Sequence, residues 1–180
     1  MNNNPYWNYT LPLNFVKTHV PWTNWFVENN ISIIERNYSK FPNKNKWNCN
    51  CHVIHDNDED VELIDYNFLR TNYHNFIFTF LKRLKIYNNF YLSDIWYNYY
   101  KEDQYQEPHT HESTLTVVHY LILDETHPRT TFTDYNIQSN SIEVKQGDLI
   151  IFPGWYEHEV LANKTEIPRL TTAFSVTLIS

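Results

Sequence analysis

From Ile95 onward the chain alternates apolar and polar residues in short runs broken by turn residues, and this two-residue period most narrows the folds open to it. The clearest run, Leu115–Leu123, puts Leu115, Val117, His119, Leu121 and Leu123 on one side and Thr116, Val118, Tyr120 and Ile122 on the other. Further strands are predicted at Ile95–Tyr100, Thr130–Thr133, Ser141–Val144, Asp148–Phe152 and Leu170–Leu178. Before Asn88-Asn89 the period is helical. Thr23 or Asn24 caps a predicted helix that runs through about Tyr38 and carries Trp25, Phe26, Ile33 and Ile34. A longer one is predicted over Val61–Ile86, where Leu63, Tyr66, Leu69, Tyr73, Phe76, Ile77, Phe80, Leu81 and Leu84 share a face. Helices ahead of several short strands predict an α+β fold with a double-sheet, jelly-roll core.

A chain of 180 residues suits one domain with a full-sized core. Residues 1–90 are expected to form an extended arm and supporting helices, and 91–180 the jelly-roll core that carries the site. The arm, over residues 1–22, holds Pro5, Pro12 and Pro21 among aromatics and is expected to pack across the main body. A formal charge of −7 argues against a nucleic-acid partner, since phosphate binding needs clustered Lys and Arg. The one basic cluster, Lys82-Arg83-Leu84-Lys85, falls where it complements a helix dipole. No apolar run approaches membrane-spanning length, and Met1–Pro5 lacks a charged-then-apolar leader pattern, so the expected location is cytoplasmic. Matches to the glycosylation sequon at Asn8, Asn37 and Asn163 are of the kind an Asn-rich chain produces by chance.

Cys49, Cys51, His52 and His55 offer two thiols and two imidazoles, a set that can hold zinc. Cysteines one residue apart are an awkward start for a tetrahedron, and the alternative is a strand from Trp47 to Ile54 with free, buried cysteines. Asp56–Asp60 reads as a solvated acidic loop that lacks the Gly and distal Glu of a calcium site.

The stronger candidate lies downstream. His109 and His111 are two apart, so on an extended segment both side chains project from one face and can share a metal. His158 supplies a third imidazole if its strand lies opposite, and three facial ligands with open positions describe a non-heme iron(II) site. Around them stand Trp96, Asn98 and Tyr100, then Gln104, Tyr120-Leu121, Phe152-Pro153-Gly154-Trp155, and Arg169 with Thr171. In this order the residues resemble the iron(II)- and 2-oxoglutarate-dependent dioxygenases, the prolyl-hydroxylase-like superfamily, and within it a small subgroup of bacterial and phage type with a His-x-His motif. The resemblance covers about half the chain, from Trp96 onward.

It implies a double-stranded β-helix of cupin-like form, and a cytosolic enzyme using iron(II), 2-oxoglutarate and O2. Such an enzyme hydroxylates a C–H bond and releases succinate and CO2. By the resemblance, His109, His111 and His158 hold the metal, and Arg169 receives the distal carboxylate of 2-oxoglutarate with a bidentate fork. Thr171 shares its face and donates a hydroxyl, and Tyr120 and Tyr100 offer phenol hydrogen bonds. The superfamily usually has an acidic residue where His111 stands. Either a regular strand turns Glu112 away and leaves three neutral imidazoles, or a bulge brings Glu112 inward. His119, opposite Tyr120, is expected to be packed or hydrogen-bonded rather than a ligand, as are His19, His52, His55, His74 and His127.

The substrate stays open between a prolyl or other protein side chain and a small metabolite or sugar nucleotide. Two rival readings remain: a three-histidine, cupin-type dioxygenase that does not use 2-oxoglutarate, and a non-catalytic binding module on the same barrel. Arg169 also has a plain alternative, a surface ion pair with Glu157, Glu159 or Glu166.

Overall fold

Alternation persists because one sheet is covered on both faces, by helices on one side and by a second sheet on the other. The computed structural model describes residues 16–44, 49–134 and 137–179. Along the chain lie β1 (Val16–His19), α1 (Thr23–Lys40), β2 (His52–His55), α2 (Tyr66–Arg83), β3 (Asn89–Tyr100), β4 (Gln106–His109) and β5 (Leu115–Ile122). β6 (Thr130–Asp134), β7 (Ile137–Ser141), β8 (Asp148–Pro153), β9 (His158–Val160) and β10 (Arg169–Ile179) complete it. The strands form a six-stranded sheet, β1-β8-β5-β10-β3-β2, and a four-stranded sheet, β4-β9-β6-β7. Every pairing in both is antiparallel. This is the double-stranded β-helix expected from the sequence, within an α+β fold.

Odd-numbered positions of β5 face the helices. Val117 and Leu121 join Phe26 and Ile34 of α1, Leu69, Tyr73, Ile77 and Phe80 of α2, and Phe174 in one apolar core. Even-numbered positions face the small sheet, where Val118 and Tyr120 meet Trp96, Tyr100, Phe132, Ile150, Phe152 and Ala173. Burying each such side chain is worth roughly 1.5–3 kcal/mol, so a one-residue slip of β5 would forfeit both cores at once. Strict alternation ends at Leu121: Ile122 turns to the helix side and Leu123 to the inter-sheet side. The register of β10 against β5 shifts between Leu170 and Thr171, at the same level.

Tertiary bonds move the helix ends from where periodicity puts them. The second helix starts at Tyr66 rather than Val61, because Asp65 caps it by accepting from Phe68 N at 2.9 Å. The preceding segment is held instead by buried asparagines of α1: Glu62 N donates to Asn37 Oδ1 and Asp65 N to Asn30 Oδ1. Neither candidate cap serves α1, which begins without a side-chain cap. The Thr23 hydroxyl donates instead to the Val20 carbonyl. Lys82 and Arg83 do lie in the last turn of α2, where the dipole favours them.

The first half of the chain contributes to the sheet as well as to its support. Val16–His19 of the expected arm pairs with β8, while residues 1–15 lie outside the described residues. Of the strand expected from Trp47, residues 45–48 lie outside them too; Cys49 makes an isolated bridge to Gln106, and β2 pairs with β3. The acidic loop is less solvated than expected. Arg70 pairs with Asp56, and Lys44 Nζ lies 3.2 Å from Asp58. At Ser141–Val144 the expected strand ends as it should begin, since β7 stops at Ser141 and Ile142 and Val144 fill the inter-sheet core unpaired. Among the described residues no helix is long and apolar enough to cross a membrane.

Candidate active site

Two short strands that periodicity does not detect, β4 and β9, bring the histidines together. His109 and His158 are direct partners across this pair, with ring centroids 4.2 Å apart. His111 lies beyond the end of β4, in a loop held by His111 N donating to Gly154 O at 2.8 Å and Gly154 N to Thr114 O at 3.3 Å. Only glycine fits there: a Cβ at 154 would lie 2.2 Å from Ser113 O and 2.9 Å from His111 O. The sequence's Phe-Pro-Gly-Trp element thus fixes the ligand loop by close backbone approach.

One ligand atom from each of His109, His111 and His158 falls within 4.8 Å of the others, the only such group of metal-ligating side chains among the described residues. His109 Nδ1 lies 2.8 Å from Glu107 O and His158 Nδ1 2.9 Å from Tyr156 O. A carbonyl only accepts, so each Nδ1 carries the proton and each Nε2 presents its lone pair. Burial lowers the pKa of His109 and sends that of His158 well below its ordinary value. Burial, with His109 nearby, takes His111 to about 4. All three are neutral at pH 7, as metal ligands must be. Glu112 is exposed and outside the group. The group that could hold a metal is three imidazoles.

The facing wall is a ladder of inward positions on the large sheet. Arg169 pairs with Tyr100, Thr171 with Asn98 and Ala173 with Trp96; on the other flank Thr171 pairs with Tyr120 and Ala173 with Val118. Trp96, Asn98, Tyr100, Gln106, Thr116, Thr130, Arg169 and Thr171 line one cavity with the three histidines. Arg169 is 1% exposed, and its Nε and Nη1 have no hydrogen-bond partner. Among the described residues no ion pair reaches it, so Glu157, Glu159 and Glu166 are not its partners. Its guanidinium lies 4.7 Å from the Tyr100 ring centre and 5.6 Å from that of Tyr120. A buried cation without a counter-ion costs several kcal/mol, and the missing partner is an anion.

Tyr100 and Tyr120 frame this cation. Tyr100 OH donates to Gln106 Oε1 at 3.1 Å and Tyr120 OH to Thr130 Oγ1 at 2.8 Å, and burial raises both phenol pKa values. Gln104 stands apart in a turn, accepting from Lys101 N; Gln106 is the glutamine that lines the cavity. A second, open groove continues outward over Trp96, Asn98, Gln106, His109 and His111 to Cys49, Val53, His55 and Asp94. Asn98 is thus legible as a motif residue but not as lining, and Gln106 is missed in favour of Gln104, because only strand pairing shows which way each faces.

The other histidines fall elsewhere. His119 is fully buried between Thr23 Oγ1 and Tyr73 OH, each at 2.8 Å. His19 pairs with Asp148, His74 stacks on Phe90, and His127 Nε2 donates to Ile167 O. The zinc alternative does not form among the described residues, where the histidine triad is the only such group: Cys49 and Cys51 pack in the inter-sheet core, His55 stacks on Trp96, and alternation sends His52 to the other face, between Tyr38 and Tyr97.

Fold and site have the form expected of a jelly-roll oxygenase of the iron(II)/2-oxoglutarate type, and comparison with known proteins finds likenesses of the same kind. Residues 127–175, a little over a quarter of the chain, match the family described as "Putative 2OG-Fe(II) oxygenase". A prolyl-4-hydroxylase from Pseudomonas putida superposes with a TM-score of 0.68 at 12% identity, over 93% of this chain and 94% of that one. The viral collagen prolyl hydroxylase of Paramecium bursaria Chlorella virus-1, in complex with 2OG, gives 0.61 at 14%, over 92% and 96%. A prolyl hydroxylase from Trichoplax adhaerens, with a peptide fragment of hypoxia inducible factor, gives 0.66 at 10%, over 91% and 83%. At such identities the structural likenesses speak to the fold. No curated protein matches the chain by sequence. The chain thus resembles 2OG-Fe(II) oxygenases in residues 127–175 and in its fold, and a site of that kind holds iron(II) and 2-oxoglutarate.

The residues fit that group. One ligand atom from each of three imidazoles falls within 4.8 Å of the others, and a buried guanidinium in the same cavity has no counter-ion.

Proposed function

We propose that the protein is an iron(II)- and 2-oxoglutarate-dependent hydroxylase in which His109, His111 and His158 hold the metal and Arg169 with Thr171 holds the distal carboxylate of the cosubstrate. The observation that carries this reading is the unpaired Arg169 guanidinium inside the cavity the histidines line. A dioxygenase needing only its metal has no use for a buried cation there. When bound, iron(II) with 2-oxoglutarate and O2 inserts one oxygen atom into a C–H bond, and the other leaves in succinate alongside CO2.

The chain's own part is positional. The carbonyls of Glu107 and Tyr156 keep two Nε2 atoms aimed inward, and the Gly154 contact fixes the loop that carries the third ligand. The Tyr100 and Tyr120 rings flank the Arg169 guanidinium and limit where its fork can point, which favours a carboxylate held at that place. Trp96, Val118, Val160 and Ala173 give the cavity apolar walls that limit water. The substrate approaches along the groove over Trp96 and meets the site past His109 and His111. A prolyl or other peptide side chain is the preferred substrate, supported by the fold shared with peptide-directed hydroxylases.

The test is an anaerobic titration of the apo-protein with iron(II) and then 2-oxoglutarate, followed by visible absorption. A weak metal-to-ligand charge-transfer band that needs both, and is lost in Arg169→Ala, is the expected result. Iron binding with no such band would transfer the site to a three-histidine dioxygenase without 2-oxoglutarate.

A further inference from the structure

Asn98 occupies the place where the deep cavity and the open groove meet, and it lines both. It is 4% exposed. Its Nδ2 donates to Thr171 Oγ1 at 3.4 Å, and its Oδ1 is buried with no hydrogen-bond partner. An unpaired buried carbonyl oxygen is destabilising, so its retention in a cavity points to a ligand that carries a donor.

Proton bookkeeping fixes what each end of this amide does. A carboxylate seated on Arg169 only accepts, so the neighbouring Thr171 hydroxyl serves it only by donating its single proton. Thr171 must then accept from elsewhere, and Asn98 Nδ2 is the donor in place. That leaves Oδ1 to face the groove as an acceptor. 2-Oxoglutarate, a dianion at neutral pH, has no hydrogen to give it. The groove's charge agrees: its lining holds no Lys or Arg, and Asp94 is its acid.

Resting on the 2-oxoglutarate reading of the site, we propose that Asn98 links the two ligands: its Nδ2 turns the Thr171 hydroxyl toward the cosubstrate, and its Oδ1 selects a substrate presenting an N–H or O–H donor near the carbon to be oxidised, which for a prolyl side chain is the backbone N–H of a neighbouring residue, since the prolyl nitrogen carries no hydrogen. Anionic substrates such as phosphates and sugar nucleotides are disfavoured by the same groove.

The experiment uses the full chain loaded with zinc, which is redox-inert, and then with 2-oxoglutarate measured by calorimetry. Two near-isosteric probes follow by NMR titration: N-methylacetamide, which has an N–H, and methyl acetate, which has none. The expected result is about three- to tenfold tighter binding of the amide, the worth of one hydrogen bond, with the Trp96 indole resonance shifting. Asn98→Leu should abolish that preference. Asn98→Asp should weaken 2-oxoglutarate at least about tenfold, because its carboxylate takes the Thr171 proton and competes for Arg169. Equal affinity of the two probes for the wild-type loaded protein, a comparison that needs no variant, overturns the inference alone. So does a preference that survives in Asn98→Leu. Failure of 2-oxoglutarate to bind the zinc-loaded protein overturns the cosubstrate reading and takes this inference with it.

Discussion

Arg169→Met is predicted to make the ligand-free protein more stable and the ligand-bound protein less so. The wild-type guanidinium is 1% exposed, with two nitrogens unpartnered, no counter-ion, and only Tyr100 and Tyr120, by ring contact and a hydrogen bond to the Tyr100 phenol, to offset its desolvation. Replacing buried ionic groups by apolar ones of similar volume gains about 1–4 kcal/mol in favourable cases. The lost contacts with Tyr100 and Tyr120 return about 0.5–2 kcal/mol of that. Taken at mid-range the net gain is about 1 kcal/mol, or roughly 2–4 °C in Tm for a chain of this length. With zinc saturating both proteins, 2-oxoglutarate at about a thousand times its Kd stabilises the wild type by about 4 kcal/mol through mass action, a gain the variant loses. The order of melting therefore inverts. Differential scanning calorimetry of both proteins, with and without zinc and 2-oxoglutarate, reads this directly. A ligand-free variant that melts several degrees below wild type would refute the reasoning, because it would show that Arg169 is a structural group with partners of its own.

Three shorter predictions concern the metal, its loop and the core behind it. His158→Ala should lower iron or zinc affinity at least about 100-fold, while Glu112→Gln leaves metal content unchanged, checked by elemental analysis after dialysis; a loss in the second variant would bring Glu112 into the ligand set. Gly154→Ala forces apart backbone at Ser113 and His111, so metal affinity should fall at least about tenfold while far-UV circular dichroism is kept; unchanged affinity would mean the loop does not position His111. Burial lowers the pKa of His119 to about 3 from 6.5, so protonation favours the unfolded chain and stability is lost as pH falls below 6.5. Between pH 7 and pH 5 that loss is about 2 kcal/mol, and it should vanish from the urea-unfolding profile of His119→Gln; an unchanged pH slope would assign the effect to other groups.

The buried His119 network shows why part of this protein is legible in one dimension. Its place on β5 opposite Tyr120 follows from period two alone, and so does its exclusion from the metal site. Its bonds to Tyr73 and Thr23 do not, because they join residues 46 and 96 positions away in the chain. The same division runs through the site. Spacing put His109 and His111 on one segment and Arg169 with Thr171 on one face, since strand geometry is local. It could not show that β4 and β9 exist, as four and three residues are too few to display a period.

The sequence by itself determined the class of fold, the order of helices and strands, and the chemistry on offer: imidazoles, a guanidinium, and no acid where the superfamily usually places one. Those are properties of residue type and near-neighbour spacing. Only the tertiary structure decided that Glu112 stays outside, that Arg169 is buried without an anion, and that Asn98 faces the cavity with a free acceptor. Each depends on which strands pair across the two sheets, and pairing is set by the burial of two cores at once rather than by any stretch of chain.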